Sequence, residues 1–189
     1  MNPNTFCKNV ERITTGSGFK RVIQGVDINS MRLATGAILA ADSGNPGRVS
    51  LETYFEGVVQ PNAQTDLGSL TFQVPRDYDQ SIDKMYVRFL ANSGGTTNAP
   101  TIDAALYQKK IGTALSADLN PTISAAVAKT SATAGAGWVE IAAESLGLVA
   151  GAGVTWVLTT SAHATDTLAI YALEVVYYSD LAYYDADLR

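Results

Sequence analysis

DTLAIYALEVVYY, residues 166–178, decides the fold. Val, Ile, Leu and Tyr crowd it, and neither Gly nor Pro interrupts it, which is the composition of a β-strand. Its alternation is imperfect. Leu168, Ile170, Ala172, Val176 and Tyr178 fall on one parity; Ala169, Tyr171, Leu173, Val175 and Tyr177 fall on the other. Both parities are mostly apolar, which predicts a central strand covered on each side. Glu174 breaks the first parity and marks either a bulge or a contact with another chain.

Working upstream, VTWVLTTS places Val154, Trp156 and Leu158 opposite Thr155, Val157 and Thr159. WVEIA at 138–142 is a further strand. IDAALYQKK at 102–110 points Ile102, Ala104 and Leu106 inward. DKMYVRFLA at 83–91 alternates most cleanly, with Met85, Val87 and Phe89 on one face and Lys84, Tyr86 and Arg88 on the other. SLTFQV sets Leu70, Phe72 and Val74 inward before Pro75 ends it. SLETYFEGVV, residues 50–59, reads as one half-buried strand. Residues 112–137 admit two readings: a short helix capped by Asn120-Pro121, or a strand through Ile123, Ala125 and Val127. Seven or eight strands without a long helix predict an all-β chain. Its expected architecture is an antiparallel, jelly-roll-like β-sandwich over residues 50–189.

Residues 1–49 are punctuated by Gly16, Gly18, Gly25, Gly36, Gly44 and Gly47 and hold no apolar run long enough for a core. They read as an extended N-terminal arm; the other reading is a strand or two of the sandwich. Six basic against three acidic side chains give the arm +3, and the remainder carries −8, for a net charge of −5. A basic head on an acidic body suggests two parts with different partners. The overall acidity does not suggest direct nucleic-acid binding. Cys7 is the lone cysteine, so no intrachain disulfide forms and cytosolic assembly is expected. No apolar run is long enough to span a membrane, and the N-terminus lacks a signal-peptide core.

Chemistry has little to work with. His163 is the single histidine and has no second ligand for zinc. A Cys7–His163 dyad would join residues far apart in sequence. Asp77, Asp79 and Asp83 crowd together in RDYDQSID, but Ile82 and Arg88 stand where a calcium loop needs Gly and Glu. These carboxylates read as turn caps. Gly16-Ser17-Gly18 lacks the third glycine of a dinucleotide fingerprint, since Arg21 stands there. No catalytic, cofactor-binding or metal set is expected, and a hydrolase using a carboxylate pair has no two carboxylates that must meet. Trp156 shares its parity with core residues. Trp138 opens its strand and is the candidate for stacking on a sugar. Tyr177, Tyr178, Tyr183 and Tyr184 suit an interface as well as a sheet edge.

The run Phe72-Gln73-Val74-Pro75-Arg76-Asp77-Tyr78-Asp79, the strand Met85–Leu90, and Thr165-Asp166-Thr167-Leu168 leading to Val176-Tyr177-Tyr178 resemble virion β-sandwich proteins of tailed bacteriophages. The resemblance spans about residues 50–180. It implies a non-enzymatic capsid decoration or cement protein, or another head or tail accessory protein. Such a protein is often a homotrimer and docks on the major capsid protein, or on other virion proteins, through an extended arm. Its location would be the virion, assembled in the host cytoplasm. The expected contacts are Arg12, Lys20, Arg21 and Arg32 of the arm, with Tyr183 and Tyr184. The alternative is a glycan-binding β-sandwich module of a receptor-binding or tail structure, carried by Trp138.

Overall fold

The computed structural model describes residues 9–11, 20–33, 37, 47–52, 55–60, 66–94, 101–122, 136–160 and 166–180. Ten strands are described: β1 (Asn9–Glu11), β2 (Lys20–Val26), β3 (Gly47–Glu52), β4 (Phe55–Gln60), β5 (Asp66–Gln73), β6 (Lys84–Ser93), β7 (Ile102–Lys109), β8 (Gly137–Glu144), β9 (Gly153–Thr160) and β10 (Leu168–Ser179). A 3-10 turn spans Ile28–Ser30. All pairings are antiparallel. The strands form a seven-stranded sheet and the three-stranded sheet β5–β9–β7. The chain is an all-β, jelly-roll-like sandwich.

β10 is the hub of the larger sheet. One edge pairs with β6, which continues to β8. The other edge is shared: Leu168–Ile170 face β4, and Leu173–Ser179 face β2. The register against β6 slips between Ile170 and Ala172, so a bulge falls at Tyr171. That bulge explains the imperfect alternation. Before it Leu168 and Ile170 are buried; after it Leu173, Val175 and Tyr177 are, so the parity facing the core changes within one strand. Of the two readings of Glu174, the bulge does not hold: the residue stands in register opposite Arg88.

The inner faces of the two sheets share one core. Met85, Val87 and Phe89 of β6 are fully buried, as are Ile102 and Leu106 of β7. Trp156 of β9 is the largest side chain buried there. The alternation read in these strands follows directly from one dry and one wet face.

Two expectations are corrected. Residues 20–33 follow the second reading of the N-terminal segment, a strand of the sandwich, and not the arm. β2 lies along the central strand with Val22 buried, Met31 joins the core, and Arg32 exchanges backbone hydrogen bonds with Ser69 (3.0 and 2.6 Å). A seven-residue strand needs no core of its own when β10 offers an open edge. Residues 50–59 are not one strand but parts of the β3–β4 hairpin, whose register brings Glu52 opposite Phe55. Alternation alone does not separate one strand from two that pair with each other. Gly68, at a bulge in β5, passes directly under the 31–32 segment. With φ of 151°, a Cβ there would lie 2.7 Å from the Arg32 carbonyl oxygen.

The carboxylates of RDYDQSID are structural, as turn caps should be. Asp79 accepts from the backbone N–H of Ser81 and Ile82 and from the Ser81 hydroxyl. Asp77 accepts from the hydroxyls of Tyr177 and Ser179 on β10. Asp83 accepts from the Tyr78 hydroxyl and from the N–H groups of Gly147 and Leu148, tying the β5–β6 connection to the β8–β9 turn. Burial, then the bond to Asp83, pushes the Tyr78 hydroxyl well above its ordinary pKa. Asp83→Ala should therefore cost about 2–4 kcal/mol, since bonds to a charged acceptor contribute ~1.5–3 kcal/mol each and do not add fully. The check is the urea midpoint at unchanged slope; an unmoved midpoint would mean that the turn holds itself.

Asp79 supplies an acid dependence. The Ser81 hydroxyl bond, followed by the backbone bonds, holds its pKa below the ordinary 3.8. A folded value depressed below the unfolded one adds stability that is complete above about pH 4 and fades as pH falls through the folded value. The stability gap between the parent and Asp79→Asn should thus be flat from pH 7 to 5 and narrow below pH 4. A gap that ignored pH would remove Asp79 from the account.

Candidate binding surface

The outer face of β8–β6–β10 carries a group of polar and aromatic side chains in mutual contact. Strand register sets its rows. Arg88 lies between Glu174 of β10 and Glu140 of β8. Its Nη1 donates to Glu174 Oε1 at 2.6 Å, and its Nε sits 3.5 Å from Glu140 Oε2. The guanidinium also lies over the Trp138 ring, 4.9 Å from the centroid. One arginine thus joins three strands and fixes an indole, a contact worth ~0.5–1 kcal/mol at an exposed site.

The next row is Trp138, Leu90 and Ala172. With strands ~4.8 Å apart, this apolar strip is about 10 Å long. Trp138 is 46% exposed at its end. On the far side of the strip Asn92 Nδ2 donates to the Tyr171 hydroxyl at 2.9 Å, so the bulge brings a tyrosine to this face. Below the arginine row, Tyr86 donates to Glu144 at 2.5 Å, and Lys84 pairs with the other Glu144 oxygen at 3.2 Å. The Tyr86 bond first, then Lys84, holds the Glu144 carboxyl below the usual glutamate range; burial, then Glu144, pushes Tyr86 up.

Of the expected contact residues, Lys20 opens β2 opposite Ser179, Arg21 pairs with Tyr178, and Arg32 bridges to Ser69. All three positions belong to the sandwich. Arg12, Tyr183 and Tyr184 lie outside the described residues, as do Cys7, His163 and the Gly16-Ser17-Gly18 run. Among the described residues no group of three or more His, Cys, Asp or Glu is placed to hold a metal, and no helix is long and apolar enough to cross a membrane. Trp138 was legible from its place at the start of β8. Arg88, Glu140 and Glu174 were not, because register joins them across three strands.

No family model matches the chain, and no curated protein matches it. Among solved structures, the xylan-binding module CBM15 is similar over 83% of this chain and 97% of its own, at 11% identity and a TM-score of 0.45. A Bacteroides vulgatus protein whose name proposes it as a glycoside hydrolase aligns over 80% and 94%, at 12% identity and 0.41. TmCBM61 in complex with beta-1,4-galactotriose aligns over 83% and 88%, at 12% identity and 0.34. At these scores the likeness carries no weight for function; the surface chemistry does.

Proposed function

We propose that this protein binds glycans, without catalysis, on the outer face of β8–β6–β10. The observation that carries the reading is the exposed indole of Trp138, braced by Arg88 at the end of an apolar strip with polar groups on both sides. A pyranose has an apolar C–H face suited to an aromatic ring and a rim of hydroxyls suited to carboxylates and amides. Here Glu140 and Arg88 border one side of the strip; on the other, Tyr171 accepts from Asn92, which is itself buried. The strip has the length of about two sugar rings on the strand spacing given above. A rigid sheet presents these groups with little ordering cost.

The protein contains two tryptophans, and Trp156 is buried in the core. Ligand-induced change in indole fluorescence therefore reports on Trp138. A panel of neutral and charged oligosaccharides should include one that shifts or quenches the emission in a saturable way. Emission unmoved across a broad panel would remove the reading.

A homotrimeric virion protein stands as the second proposal, with residues 1–49, β2 of the sandwich included, as its basic segment. It draws on the charge split between that segment and the rest. Light-scattering mass tests the trimer, and a monomer at all concentrations would count against it.

A further inference from the structure

The charges around Trp138 limit which glycans its surface can take. On β2, β6, β8 and β10 the basic residues are Lys20, Arg21, Lys84 and Arg88. Of these, Arg88 alone stands beside the apolar strip. Lys84 lies six residues from Leu90 along β6, ~20 Å at the strand rise, and its ammonium is paired with Glu144. Lys20 and Arg21 face Ser179 and Tyr178, at the same distant end of the sheet. Charges that far away are largely screened, because the Debye length is ~8 Å at physiological salt.

The one nearby cation is already committed. Arg88 is bonded to Glu174 and lies within ion-pair distance of Glu140. Two carboxylates against one guanidinium leave −1 at the border of the strip among the described residues. Glu140 is the more exposed of the two, 45% against 15% for Glu174, and it follows Trp138 by two residues on the same face of β8. A sugar hydroxyl can donate to Glu140, since an ionised carboxylate accepts hydrogen bonds. A sugar carboxylate would be the third acid at one guanidinium and would meet the like charge of Glu140 first. We infer that the Trp138 surface selects uncharged glycans and rejects acidic ones, with Glu140 as the residue that sets the choice. This selection rests on the glycan-binding reading of the same surface.

The probes are the β-1,4-linked tetramers of glucose, mannose and galactose, each set beside the tetramer of its uronic acid. Titrated into the full chain at low salt, at least one neutral tetramer should bind saturably, and its acidic twin should bind about tenfold or more weaker. The gap should shrink at 1 M salt, where the Debye length falls to ~3 Å; a gap set by the bulk of the carboxylate would ignore salt. Glu140→Gln should narrow the gap, and Glu140→Lys should close or reverse it. An acidic tetramer that binds as tightly as its neutral twin would overturn the selection and leave glycan binding standing. So would a gap that ignores salt, or one that both Glu140 variants leave unchanged. Silence from all six tetramers would overturn the selection and count against the glycan reading as well. Should either variant misfold, the other variant and the salt response of the parent decide it.

Discussion

Trp138→Ala is expected to lose glycan binding almost entirely, by about 30-fold or more, as for a truncated aromatic anchor worth ~2 kcal/mol at the centre of a contact. The same change should barely touch the fold. The indole is nearly half exposed and stacks only against Arg88 among the described ring contacts. Loss of ~0.5–1 kcal/mol lowers the melting midpoint by about 2–4 °C at most for a chain of this size. Affinity by calorimetry and midpoint by circular dichroism separate the two effects. Glu140→Gln, which keeps the indole, should weaken binding less. Binding that survives Trp138→Ala at full strength would place the glycan elsewhere or nowhere.

The largest loss of stability is expected at the other tryptophan. Trp156 sits with no exposed surface between the sheets, in one cluster with Phe89, Leu106 and Ile141. Trp156→Ala should cost about 3–5 kcal/mol, combining lost burial with a cavity that the paired strands around it fill poorly. Trp156→Phe should cost much less. The buried indole N–H has no hydrogen-bond partner in the structure, so phenylalanine removes an unsatisfied donor along with some area. Urea midpoints at constant slope measure both. Equal losses for Ala and Phe would mean that the N–H, and not the ring volume, matters at this site.

The two tryptophans also mark what the sequence discloses. Local alternation assigns Trp156 to the core, because a strand's period of two is a property of neighbours, whereas Trp138 stands out by its place at the start of its strand. The same logic makes β6, β7 and β9 readable to within a residue or two. It fails where the decisive partner is distant. Nothing near Lys20–Val26 announces that β10 will take it as a neighbour, and its glycine-rich surroundings suggest an arm. Arg88 reads as an outward charge, yet its work is to join Glu174, Glu140 and Trp138, and register alone unites them. Tyr171 is the subtler case. Its bulge is written into the sequence as a strand apolar on both parities, which is also how a doubly covered strand looks.

The shared edge of β10 has a consequence for how the molecule is made. Val176 pairs with Ile23, and Ile170 with Val58, so partners wait through most of synthesis for the strand that joins them. At ~5–20 residues per second, β1–β4 leave the ribosome several seconds before β10 does. During that interval β2 and β4 have open edges where β10 will later lie. Truncation within Leu168–Ser179 should accordingly yield aggregated chains instead of a smaller folded protein, because the early strands then keep edges that only the last strand covers.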